Sequence, residues 1–80
     1  MKAKLEAMGL DVVVENGGML NVTGDSEKLI EARQMLNDNN FVDDTSVFSK
    51  MFGLDAATDF ISRLMVCEFG EGNNGYCALA

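Results

Sequence analysis

"DVVVENGGMLNVTGD", Asp11 to Asp25, places two β-favouring runs on either side of Asn16-Gly17. Asn-Gly is the strongest short signal for a two-residue type I′ turn, because both central positions must take positive φ. That turn predicts a hairpin in which Val14 faces Met19 and Val13 faces Leu20. Val12, Val13 and Val14 make both faces of the first strand apolar, whereas Asn21 and Thr23 dilute the second. The first strand is therefore expected inside a larger sheet and the second nearer its edge.

Working outward, residues 2–8 read as a short helix with Leu5 and Met8 on one side and Gly9 as its C-terminal stop. After the hairpin, Thr23-Gly24-Asp25-Ser26 opens a second helix. Either Asp25 or Ser26 can cap its free amides, and Glu27 suits the positive end of the dipole. Leu29, Ile30, Ala32 and Leu36, with Met35 alongside, form a stripe at helical spacing. Asn37 to Asn40 ("NDNN") should stop it, since these residues favour local turns.

Asp43-Asp44-Thr45 begins another helical piece, with Val47, Phe48, Met51 and Phe52 on one side and Gly53 at its end. Asp55 is expected to cap a further helix to about Met65, turning Ala57, Phe60, Ile61, Leu64 and Met65 inward. All five phenylalanines lie at or beyond Phe41, which assigns most of the core's bulk to the later half. "MVCEF", "GEGNNG" and "YCALA" (Met65 to Ala80) read as strand, loop, strand. The fold class expected is α+β. Residues 1–80 form a small single domain, with an N-terminal β-hairpin and a C-terminal β-hairpin in an antiparallel sheet packed against three to four short helices.

Eighty residues, 48% of them hydrophobic, suit one core near the lower size limit for an unstapled domain. No apolar run approaches the roughly 18 residues of a membrane span, so no membrane partner is expected. Glu6 interrupts the start "MKAKLEAMGL", which does not read as a secretory signal. A cytoplasmic setting is expected, with free thiols at both cysteines and no meaning for the sequon Asn21-Val22-Thr23. Net charge is −7, and from Gln34 onward seven acids face only Lys50 and Arg63. Phosphate backbones need Lys and Arg, so nucleic acid is not an expected partner. A protein with a basic surface is, because opposite fields speed encounter.

Two motifs overlap at the end of the chain. Gly70-Glu71-Gly72-Asn73-Asn74-Gly75 spells G-x-G-x-x-G, but a nucleotide fingerprint needs a following helix, and "YCALA" alternates like a strand. Cys77-Ala78-Leu79-Ala80 spells a prenylation box, yet a single lipid usually needs an upstream basic patch, and this stretch is acidic. Folding "MVCEF" onto "YCALA" can bring Cys67 opposite Cys77, a geometry open to oxidation. Two sulfurs without any histidine do not make a zinc site. "NDNNFVDD" lacks the alternation and glycine of an EF-hand loop, and helix capping accounts for Asp43 and Asp44. No histidine base or activated serine is present, so no enzyme, catalytic residue, metal or cofactor is expected.

Leu5 to Leu36 reads helix, Gly-Leu, hairpin, turn, helix. Through Met8-Gly9-Leu10, the strand from Val12 to Glu15 and Leu20-Asn21-Val22-Thr23-Gly24 it resembles the N-terminal docking domains of the TubC type on assembly-line synthetases. That resemblance implies an adaptor that receives a partner segment along the second hairpin strand and following helix, near Leu20, Val22, Lys28 and Leu29. The same stretch is similar to the last strand and helix of a KH domain, but without the G-x-x-G loop, so RNA binding does not carry over. In overall profile the chain is similar to small acidic phage-borne inhibitors, anti-CRISPR proteins among them. A non-enzymatic protein-binding module, of inhibitor or adaptor type, is therefore expected. Its contacts would be Asp38, Phe41, Asp43, Asp44, Glu68 and Glu71, with Leu20 and Val22 on the hairpin. The rival expectation is a docking or oligomerisation domain that pairs, with a partner or a second copy, through an exposed hairpin strand.

Overall fold

The computed structural model describes residues 1–57, 59–70 and 74–80. Along the chain come α1 (Lys2–Ala7), β1 (Asp11–Val14), β2 (Leu20–Thr23), α2 (Ser26–Asp38), β3 (Val42–Asp43), α3 (Thr45–Phe52), β4 (Arg63–Cys67) and β5 (Gly75–Leu79). The strands form one five-stranded sheet in the order β1-β2-β4-β5-β3. Neighbours are antiparallel except β3, which runs parallel to β5. The α+β class is present, with β1–β2 and β4–β5 as antiparallel pairs. The expected layout of two hairpins in an antiparallel sheet is not fully matched, because the parallel β3 makes the sheet mixed. Three helices are found among the described residues.

Alternation assigns the two faces of the sheet. Register aligns Leu20, Val66 and Tyr76 in one row and Val22, Leu64 and Ala78 in the next, and all six are buried. Leu5 from α1 and Leu29, Ala32 and Leu36 from α2 complete this core. Each fully buried leucine is worth about 1.5–3 kcal/mol over exposure. The cap of α2 resolves to Asp25, whose Oδ1 accepts from the Glu27 N–H at 3.2 Å. The Ser26 hydroxyl instead accepts from the Ile61 N–H at 3.3 Å, tying α2 to the segment before β4.

The hairpin differs from expectation in turn, register and position. The Glu15 N–H donates to the Met19 carbonyl at 2.7 Å and the Gly18 N–H to the Glu15 carbonyl at 3.1 Å, so Asn16, Gly17 and Gly18 all lie in the loop. Gly17 and Gly18 take φ of 85° and 84°, which consecutive glycines allow at no steric cost. Pairing is then Val14 with Leu20 and Val12 with Val22, one residue away from the register expected of Asn-Gly alone. A one-residue slip exchanges the faces, and this one sets Val12 and Val14 beside Val22 and Leu20, with Val12 half-buried and Val14 54% exposed at the sheet edge. β1, not β2, is the edge strand. Asn21 and Thr23 mark a strand buried on one face only, because Leu20 and Val22 still fill the core face between β1 and β4.

Among the described residues, the helix expected from Asp55 to Met65 is not found. Ala56 makes an isolated bridge to Leu79, and a strand begins at Arg63. Leu64 and Val66 point into the core while Met65 and Cys67 point away, a period of two that the preceding apolar residues disguised. β2 and β5 pair with β4 on both sides, and those backbone bonds favour the strand over a lone helix.

The other edge of β5 is closed by a clamp. β3 covers its start, with the Asp44 N–H donating to the Tyr76 carbonyl at 2.8 Å. Where β3 ends, the buried Thr45 Oγ1 accepts from the Ala78 N–H at 2.6 Å. The Ala57 N–H then donates to the Ala78 carbonyl at 3.1 Å.

An apolar groove on the second face of the sheet

α1 and α2 cover one face of the sheet; α3 covers only the β5 side of the other. Between α3 and the uncovered strands lies a groove of about 540 Å³, within the size range of ligand pockets. Its floor is Met19, Met65, Cys67 and Cys77, the outward partners of the core rows, and its walls are Phe48 and Phe52 on one side and Phe69 on the other.

Local rules put α3 there. The Thr45 N–H donates to Asp43 Oδ1 at 3.0 Å, which starts the helix, and Gly53 ends it in the left-handed conformation at φ 65°. The i, i+4 spacing stacks Phe48 and Phe52 with ring centroids 5.8 Å apart. Phe52 is 61% exposed and Phe69 63%, while Met51 and Val47 are more than half exposed. The expectation that the phenylalanines fill the core is therefore corrected. Phe41 alone is buried, because the second face has no further layer to cover the rest.

Among the described residues, Asp44 is the only charged one lining the groove. Its backbone is pinned: the N–H donates to Tyr76, and the carbonyl accepts from Val47 and Phe48. Asp43 points elsewhere, pairing with Arg33 at 2.7 Å. Burial would lift the Asp43 carboxyl, but hydrogen bonds from Thr45 and the Arg33 guanidinium outweigh it and hold the group below its ordinary value. Beside this pair the Tyr76 hydroxyl donates to Asn37 Oδ1 at 2.6 Å, and burial pushes its phenol up.

Cys67 and Cys77 both sit on the groove floor as free thiols. They are not opposite each other: Cys67 faces Gly75, and Cys77 faces Met65. Diagonal partners of this kind lie about 7–8 Å apart, beyond ordinary disulfide span. Burial raises both thiols, with nearby carboxylates adding to the effect.

The expected contact residues scatter. Asp38 is exposed at the end of α2 and accepts from Gln34. Glu68 is exposed and pairs with the amino terminus at 3.3 Å. Phe41, Leu20 and Val22 are core residues at 5%, 6% and 0% exposure, so they hold the fold and offer no surface to a partner. Lys28 is exposed and Leu29 is buried. Glu71, with half of the G-x-G-x-x-G loop, lies outside the described residues, whereas Gly75 to Leu79 form the expected strand. Among the described residues, Asp44 is the one expected contact that lines the groove. Missed were Met19, Met65, Leu54 and Phe69; their signal was the alternation of Met65 and Cys67 against Leu64 and Val66.

Among the described residues, no group of three or more acidic, cysteine or histidine side chains is placed to hold a metal, and no helix is long and apolar enough to cross a membrane. Comparison of the chain with protein-family models, curated proteins and solved structures returned no match.

Proposed function

We propose that the chain is a non-enzymatic, cytoplasmic protein-binding module, an inhibitor or adaptor, that seats an apolar anchor of a basic partner in the groove between α3 and the sheet. The observation that carries this reading is the open apolar groove rimmed by Phe52 and Phe69 in a chain of net charge −7. Contiguous exposed apolar surface of this kind marks interaction sites on small proteins. Among the described residues a single carboxylate lines the groove, and the chain has no histidine, which supports the non-enzymatic reading.

Affinity capture from native cell extract tests it, with wild type compared against Phe52→Asp on an exposed position. The partner should be retained by wild type, lost with Phe52→Asp and weakened by salt. Equal retention by both proteins refutes the groove as the contact.

A second reading has its own observation. β1 is an uncovered edge with Val13 56% exposed, and such edges accept an added strand. Capture lost on Val13→Lys yet kept with Phe52→Asp would select this docking mode.

A further inference from the structure

Asp44 has an unusual seat. A Cβ built on Gly75 would stand 2.7 Å from Asp44 Oδ2 and 3.3 Å from the Val42 carbonyl. Gly75 is not among the positive-φ glycines, so its missing side chain serves space and not backbone conformation. The notch in β5 is filled by the carboxylate.

The carboxylate itself is unmatched. Asp44 is the N-cap of α3, but its side chain makes no capping bond. Among the described residues, the ion pairs use Glu6, Asp43 and Glu68, and none uses Asp44. A half-buried carboxylate on an apolar wall is stabilised by an incoming cation more than one in open water would be. Stacked Phe48 and Phe52 line the same groove. Aromatic faces attract a guanidinium, and an arginine stem packs along apolar surface while its head reaches an acid. Arginine suits such a stacked site better than lysine does.

Resting on the proposed groove function, we infer that Asp44 is the specificity-determining residue of the groove, receiving an arginine that a partner segment carries next to its apolar anchor. The net charge of −7 favours the same partner at long range. Asp44 would then supply selection and the sulfur-lined floor most of the contact area.

The test is an NMR titration of the full chain with two blocked dipeptides, acetyl-Leu-Arg-amide and acetyl-Leu-citrulline-amide, which differ by one charge. Resonances of the Met65 methyl and the Phe52 ring should shift with both. The arginine peptide should bind about fivefold more tightly. Asp44→Asn, nearly isosteric, should remove that preference, so that the two peptides bind the variant equally. Asp43→Asn, at a carboxylate outside the groove wall, should retain it. Equal binding of the two peptides by wild type overturns the inference and leaves the groove reading standing. A preference that survives Asp44→Asn, or vanishes equally with Asp43→Asn, also overturns it. No shift at Met65 or Phe52 with either peptide removes the groove reading and this inference together.

Discussion

A methyl group added at Gly75 would press on both a carboxylate oxygen of Asp44 and the backbone carbonyl of Val42. Gly75→Ala should therefore cost about 1–3 kcal/mol in urea unfolding, the range for an overpacked site. Part of that cost disappears if Asp44 is removed first, since one of the two obstructions is then gone. The measurable outcome is a double-mutant cycle in which Gly75→Ala is milder on an Asp44→Ala background. Additive effects would show that Val42 alone resists the methyl group. Asp43 sets a different dependence. Its carboxyl is held below its ordinary value by Thr45 and Arg33, against the opposing effect of burial. A carboxyl depressed in the folded state contributes stability above its unfolded value of about 3.9, and loses it as pH falls through the folded value. Denaturation between neutral and strongly acid pH should show wild type losing stability below about pH 4, with a shallower acid limb in Asp43→Asn. Parallel limbs would remove Asp43 as a source of acid sensitivity.

Among the elements, α1, α2 and the existence of the hairpin were legible because each rests on local chemistry, whereas the hairpin's turn, register and place in the sheet were not. Gly9 has φ of 86°, Asp25 caps α2, and Asn40 takes φ of 65° where the helix was expected to stop. Asp55 to Met65 was not legible, because Ile61, Leu64 and Met65 fit a helical stripe and an alternating strand about equally well. Only the pairing offered by β2 and β5 decides between them, and that pairing joins distant parts of the chain. β3 was invisible for the same reason: two residues carry no periodicity, and their partner is β5. The bond that joins α3 to β5 is testable at this scale. Thr45→Val keeps the side-chain shape but leaves the buried Ala78 N–H without an acceptor. A loss of about 1–3 kcal/mol is expected for that orphaned donor, with Thr45→Ser retaining most of the stability. If Val and Ser variants unfold together, packing and not the hydrogen bond fixes α3.

Across the whole molecule, exposure was the part of the site that sequence could not supply. Val47, Phe48, Met51 and Phe52 have the spacing of a buried helix stripe, and nothing in their order says that only one sheet face receives two helices. The composition could have been satisfied by a closed second core; the topology instead places α1 and α2 on the first face and, among the described residues, no helix over β1 and β2 on the second. This division separates two kinds of apolar residue by their effect on folding. Leu64 is fully buried in the first core, and Leu64→Ala should cost about 2–5 kcal/mol, a large share of the roughly 5–15 kcal/mol holding a domain together. Phe52 and Phe69 are mostly exposed, so Phe52→Ser and Phe69→Ser should each change stability by only about 0.5 kcal/mol. The pair together should also lower binding of a hydrophobic dye to the folded protein, because the rim of the groove has gone. Urea unfolding and dye fluorescence on the same samples separate the cases. Should Phe52→Ser/Phe69→Ser destabilise the chain as severely as Leu64→Ala, the second face closes on itself in solution, and the phenylalanines belong to a core after all.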